Sequence, residues 1–240
     1  MTANDRQRST ANGGAAGKGL GVRRRLGFAI WLVVLSLFAS SPAFGAKQTP
    51  VTITILLFNY VDVPSATLAA AEGEANKILA EAGAQVDWIH CLDTTLTRDK
   101  RELCDGGMTP QTPDLRLIPG SNKFQDAEFG YTAIPVLVTI YYEKVVGRAH
   151  RDNTDSELPV MLGCVMAHEL GHLLLRAPGH SAKGIMQPQW GSLQIRQALT
   201  GHMRFTEQES ARIQSQARLL AGIPSAVPSP IQPAVELPRQ

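Results

Sequence analysis

The chain carries no internal repeat, no basic patch and only three cysteines, and the uncharged apolar run near its N-terminus, residues 26–39, is about fourteen residues long. Without a repeat, the sequence reads as one domain, not an array. Without clustered Lys and Arg there is no footprint for nucleic acid. Fourteen apolar residues fall short of the ~20 that span a bilayer. The formal net charge of +2 comes from 23 Lys and Arg against 21 Asp and Glu, but its sign belongs to the N-terminus. There, Arg23-Arg24-Arg25, the apolar run and Ser40-Ser41-Pro42-Ala43-Phe44-Gly45-Ala46 follow one another. A basic stretch, an apolar stretch and a small-residue cleavage site in that order make a secretory signal. Ala43 and Gly45 fit the positions before the cut, so cleavage is expected after Gly45. The alternative is an uncleaved anchor, the one reading that ties the protein to a membrane. Residues 1–45 hold six of the basic residues and one of the acidic ones; removing them leaves 17 and 20, a net charge of −3.

The most informative stretch is His168-Glu169-Leu170-Gly171-His172. Val160-Met161-Leu162-Gly163-Cys164-Val165-Met166-Ala167 leads into it, and Leu173, Leu174 and Leu175 follow. A segment apolar on nearly every side reads as a buried helix, here over about 158–176. Histidines four apart project from one face of such a helix, one turn apart. Both rings can then reach a single zinc ion at roughly 2.0–2.1 Å, and the intervening glutamate is placed to take a proton from water. The plain alternative, two core histidines bonded to backbone, accounts for neither the spacing nor the glutamate. A catalytic zinc takes three protein ligands and a water, and the next histidine is His180, in Pro178-Gly179-His180-Ser181, followed by Gly184-Ile185-Met186-Gln187-Pro188.

In these residues the chain resembles the metzincin zinc peptidases, whose pattern is H-E-x-x-H-x-x-G-x-x-H and then a tight turn carrying a methionine. The likeness is strongest over residues 164–190 and closest to the matrix-metalloprotease type, through His180-Ser181 and Met186-Gln187-Pro188. It also extends to secreted bacterial proteins of unassigned function. The resemblance implies one Zn2+ held by His168, His172 and His180, with Glu169 as general base and Met186 beneath the metal as a packing residue. The departure is in the third-ligand loop. Leu175 stands where the family has glycine, and His180 follows His172 by eight residues, not six. Pro178 cannot continue a helix and Gly179 can adopt positive φ, so a longer loop can still return His180 to the site. An exposed loop histidine, or a downstream acid such as Glu207 or Glu209 as ligand, is the alternative.

Export puts the cysteines in an oxidising space. Cys91 and Cys104, thirteen apart across a polar stretch, can close a disulfide, whereas Cys164 on the motif helix reads as a packing residue. Strands are expected over 51–58, 86–89, 115–118 and 134–142, the last at an edge or a start because of Pro135. A helix over about 64–82, ended by Gly83, joins the first two strands as a parallel crossover. Residues 143–157 read as a polar loop holding a solvated His150. Thr206 and Glu209 form a capping box opening a last helix to about Leu220. The fold class is α/β of the α+β kind: a mixed twisted sheet with a helix behind it, the buried zinc helix and a C-terminal helix. That order resembles the metzincin catalytic domain, in which the strand before the zinc helix borders the cleft and takes extended substrate. Residues 134–142 are the candidate for that strand; Tyr141 and Tyr142 on it read more naturally as packing than as cleft lining. The domain limits are 1–45 for a disordered N-terminus and signal, 46–222 for the catalytic domain, and 223–240 for a Pro-rich tail. No inhibitory pro-segment is visible before the first strand.

The functional expectation is a secreted or periplasmic, monomeric zinc endopeptidase acting on peptide or protein substrates. A zinc-bearing peptide-binding protein with little turnover is the alternative, and a hydrolase of non-peptide substrates is the third.

Overall fold

The computed structural model describes residues 49–120 and 129–223. The signal expected over 1–45, and all but the first residue of the tail expected over 223–240, lie outside the described residues. The fold class is the expected one, a mixed α/β arrangement. Five strands, β1 (Val51–Asn59), β2 (Ala84–His90), β3 (Asp114–Ile118), β4 (Gly130–Ala133) and β5 (Leu137–Tyr141), form one sheet in the order β2-β1-β3-β5-β4. All neighbours are parallel except β4, which runs antiparallel to β5.

One face of the sheet is apolar because strand residues alternate. Val51, Ile53, Ile55 and Leu57 of β1 are buried, whereas Thr52 between them is exposed. Register carries that face across the sheet, from Leu57 to Leu115, from Leu115 to Val138 and from Val138 to Thr132. Helix α1 (Ser65–Glu81) covers it with Leu68, Ala71, Ala75, Ile78 and Leu79. Asn76 fastens α1 to β2, accepting from Val86 N at 2.7 Å and donating to Val86 O at 3.1 Å. The β1–α1–β2 unit is the parallel crossover expected from the sequence, and Gly83 at φ +86° turns the chain into β2.

Several elements differ from expectation. The segment spanned by Cys91 and Cys104 is not all loop: it contains helix α2 (Arg98–Asp105). The two cysteines are disulfide-bonded, with Cα atoms 5.5 Å apart. The stretch read as a polar loop begins with helix α3 (Tyr142–Arg151), anchored by buried Val145 and Ala149 and by an Arg148–Asp152 ion pair of 2.7 Å, before a 3-10 turn at Asp155–Glu157. With two buried side chains in ten residues, α3 offers too short an apolar stripe to read from sequence. Finally, the strand expected at an edge or a start because of Pro135, β5, starts just after that proline and is internal to the sheet. Pro135 lies in the turn joining β4 to β5, and the four-residue strand β4 is the edge.

Helix α4 (Leu158–Leu175) carries the motif and packs on the same apolar face, alongside α1 and against β4 and β5. Asp155–Leu175 is apolar and long enough to cross a membrane, its most apolar 18-residue window having a mean hydropathy of 1.5, yet 78% of that window is buried inside the fold. Its apolar character therefore belongs to a core helix enclosed on nearly all sides. Helix α5 (Ser192–Leu199), not expected from the sequence, and helix α6 (Glu207–Leu220) close the domain. The expected capping box opens α6: Glu209 N donates to Thr206 Oγ1, and Thr206 N to Glu209 Oε2 at 2.8 Å.

Candidate metal centre

Helix α4 brings His168 and His172 to one face a turn apart, and the loop after it returns His180 to them. His172 Nε2 lies 3.2 Å from His168 Nε2 and 3.2 Å from His180 Nε2, and the three donor atoms lie within 4.8 Å of one another. Four donors placed tetrahedrally at roughly 2.0–2.1 Å from an ion stand ~3.3–3.4 Å apart, so both close separations match ligands of one ion.

The ring protons decide what these contacts are. His168 Nδ1 is 2.7 Å from Ile185 O, and His172 Nδ1 is 2.9 Å from Ala177 O. A carbonyl only accepts, so each Nδ1 carries the proton and donates it. Burial pushes His168 down to about 3 and holds His172 below the ordinary histidine value, so both rings are neutral near pH 7. A neutral ring with its proton on Nδ1 presents a lone pair at Nε2. The His168–His172 contact is thus lone pair facing lone pair, which a shared cation stabilises and a hydrogen bond does not explain. Carbonyl partners of this kind also fix the orientation of metal-binding imidazoles. The donor set of three nitrogens fits zinc among other divalent ions, and what the geometry establishes is a three-histidine group able to hold a metal ion.

The longer third-ligand loop works by a device different from the one expected. Gly179 is not among the positive-φ residues. The left-handed turn that stops α4 falls instead on Arg176, at φ +50°. With the Gln216 amide oxygen turned toward it, the Arg176 guanidinium donates to that oxygen from Nε at 2.8 Å and from a terminal nitrogen at 3.0 Å, which ties the reversal to α6. Beyond His180, Ser181 N donates to Met186 O at 2.8 Å and the Ser181 hydroxyl bonds the Glu209 carboxylate. Glu209 is therefore a buried strut, engaged with the helix cap and Ser181, and the alternative in which it ligates the metal fails. Glu207 is exposed in the first turn of α6.

Met186 is buried in the turn expected for it, after Gly184 at φ +77°. It packs on the motif helix at Gly171, where a Cβ would come within 2.6 Å of Met186 Sδ and 2.7 Å of the Phe205 ring. Only glycine leaves room for that approach. The same turn supplies Ile185 O to His168, so the methionine segment holds a ligand through its backbone.

Glu169 is buried, lines the same cleft as the three histidines and is not part of the metal-binding group. Its Oε2 lies 2.9 Å from Thr132 Oγ1. A cleft of about 390 Å³ opens over these residues, bounded by segments 129–132 and 187–190 together with Val165 and Pro178. Among the described residues its lining holds one carboxylate, Glu169, and no Lys or Arg. Trp190 stands edge-on to His168, ring centres 5.6 Å apart, and to Phe129 at 6.0 Å.

The other candidates fall elsewhere. Cys164 is buried in the core, with its thiol pushed up to about 12 by burial, and does not join the metal group. His150 is exposed on α3, 3.4 Å from Asp155. Tyr141 is buried, beneath Lys144, and Tyr142 packs at the margin of the core; neither lines the cleft. Sequence reasoning missed Thr132, Gly130 and Trp190. Only the β-branched and aromatic character of Gly130-Tyr131-Thr132-Ala133 hinted at a strand there, and four residues are too few for a periodicity. A scan against protein-family models matches none to this chain, and a search of curated proteins finds no similar one.

Proposed function

We propose that the protein is a zinc-dependent endopeptidase of metzincin type, working outside the cytoplasm. The observation that carries this reading is the convergence of three imidazoles, two of them held as neutral Nδ1–H tautomers by backbone carbonyls, next to a buried glutamate in an open cleft. His168, His172 and His180 would hold the ion. Zinc, when bound, supplies a Lewis acid that polarises a carbonyl and brings the pKa of its water to ~7. Glu169 takes a proton from the attacking water and later returns it to the leaving amine. The β4 edge, whose outer main-chain groups have no strand beside them among the described residues, offers hydrogen bonds to an extended peptide without reading its side chains. The Cys91–Cys104 disulfide supports an oxidising compartment.

The test uses purified protein, its zinc content and a mixed peptide library with a chelator control. The expected result is one zinc per chain and chelator-sensitive cleavage. Glu169→Gln should keep the zinc and lower kcat by roughly 10²- to 10⁴-fold, the range for loss of a general base. Zinc without any cleavage would replace this reading with that of a peptide-binding protein on the same scaffold, and retained activity in Glu169→Gln would reject the mechanism.

A further inference from the structure

We propose that Thr132 is a positioning residue for Glu169: from the edge strand, its hydroxyl holds one carboxylate oxygen so that the other carries the proton transfer. The inference rests on the peptidase reading above and adds to it a residue that the motif does not contain.

The sheet register makes the placement necessary. Gly130 pairs with Ile140 and Thr132 with Val138, so both face the apolar side of the sheet, where Ile140 and Val138 are fully buried. A hydroxyl on that face needs a partner, because an unpaired one costs about 1–3 kcal/mol. Thr132 Oγ1 has two acceptors in reach, Glu169 Oε2 at 2.9 Å and the Glu169 main-chain oxygen at 3.0 Å. It has one proton to give. The main-chain oxygen lies in the interior of α4, where carbonyls already accept a helical bond. The carboxylate oxygen lies at the shorter distance and has no helical bond to share.

Gly130 completes the clamp. A Cβ at that position would stand 3.2 Å from both Cδ and Oε1 of Glu169 and 2.3 Å from Thr139 O. The bare Cα lets β4 lie directly against the carboxylate. Strand β4 thus leaves no room for a side chain at Gly130 beside Oε1 and makes a hydrogen bond at Oε2 from Thr132. A glutamate side chain has several rotatable bonds and loses rotamer freedom on being fixed; here the strand fixes it before substrate arrives.

The consequence for the reaction is a division of labour between the two oxygens. When water attacks, its O–H bond breaks, the electron pair stays on the water oxygen that bonds the carbonyl carbon, and the proton goes to Oε1. Oε2 then becomes the carbonyl oxygen of a neutral acid and still accepts from Thr132. When the C–N bond breaks, its electron pair leaves with nitrogen, and nitrogen takes the proton from Oε1. The carboxyl group need not rotate at either step, so its alignment is preserved through the cycle, as rate enhancement by orientation requires.

The experiment compares Thr132→Val, which keeps the shape and loses the hydroxyl, with Thr132→Ser, which keeps the hydroxyl, in the zinc-loaded full chain. Thr132→Ala serves as a second hydroxyl-free variant with the same expectation. For Thr132→Val, kcat should fall roughly 10- to 100-fold with KM within about twofold and zinc content unchanged, the scale of losing an outer partner of a reacting group. Thr132→Ser should stay within about threefold of wild type, since its hydroxyl can make the same bond. Unchanged kcat in Thr132→Val, a loss that appears in KM, or a Thr132→Ser as impaired as Thr132→Val would each overturn the positioning role while leaving the peptidase reading intact. A wild-type protein that binds zinc and cleaves nothing overturns both.

Discussion

Replacing His180 by Ala is the sharpest probe of the proposed metal centre, because His180 is the proposed ligand on a loop two residues longer than the metzincin pattern. Two of the Nε2 separations, both to His172, are 3.2 Å, so the structure presents His180 as a donor equivalent to His168. Binding free energies of structural zinc sites run to about 10–16 kcal/mol over four ligands, on the order of 3–4 kcal/mol each. Removing one of three protein donors should therefore weaken zinc binding by roughly 10²- to 10³-fold, as a tenfold change is about 1.4 kcal/mol. The assay is competition against a chromophoric chelator at fixed pH, with His150→Ala as control. His150 is an exposed histidine on α3, outside the metal group, and its replacement should leave zinc affinity unchanged. If His180→Ala bound zinc as tightly as wild type, the three-histidine site would be wrong, whatever the activity.

Three further outcomes follow from the packing. Paired Cys91→Ser and Cys104→Ser replacements reopen a loop of thirteen-residue separation and should lower unfolding free energy by about 3 kcal/mol in denaturant titration; no loss would show that the unfolded chain gains nothing from the crosslink. Cys164, buried and with its thiol pushed up to about 12, should resist alkylation at pH 8 in the native protein and react only on unfolding. Modification of the folded chain would place that thiol outside the core. Gly171→Ala drives a methyl into Met186 and Phe205 and should cost about 1–3 kcal/mol by overpacking, read as a lower Tm by circular dichroism; an unchanged Tm would mean that the methionine turn does not bear on the helix.

The motif helix, the first three strands, the first and last helices and the α6 capping box were all legible, because each rests on a strong local signal: a long apolar run, β-branched alternation or a cap. His168, Glu169 and His172 stand at fixed spacing on one helix, so helical geometry alone places them. His180 was harder, since its position depends on a loop. The residue that makes the turn is Arg176, which no propensity marks for φ +50°; its hold on Gln216, forty residues on, is a tertiary contact. The edge of the sheet was not legible because strand order is not written in any one strand. β5 has the stronger pattern, but the weaker, four-residue β4 lies outside it. Thr132 was invisible for the same reason: its importance comes from register with Val138 and from a contact thirty-seven residues away.

The bond from Ser181 to Glu209 has an effect on timing. A nascent chain that has emerged only as far as α5 already contains every imidazole and carboxylate of the centre, yet lacks the strut that seats the His180 loop and the glutamine that secures its reversal. Seating of the His180 loop therefore draws on the last helix. The three-histidine group is complete in sequence well before it is complete in space, and the contacts that finish it are made by residues outside the group.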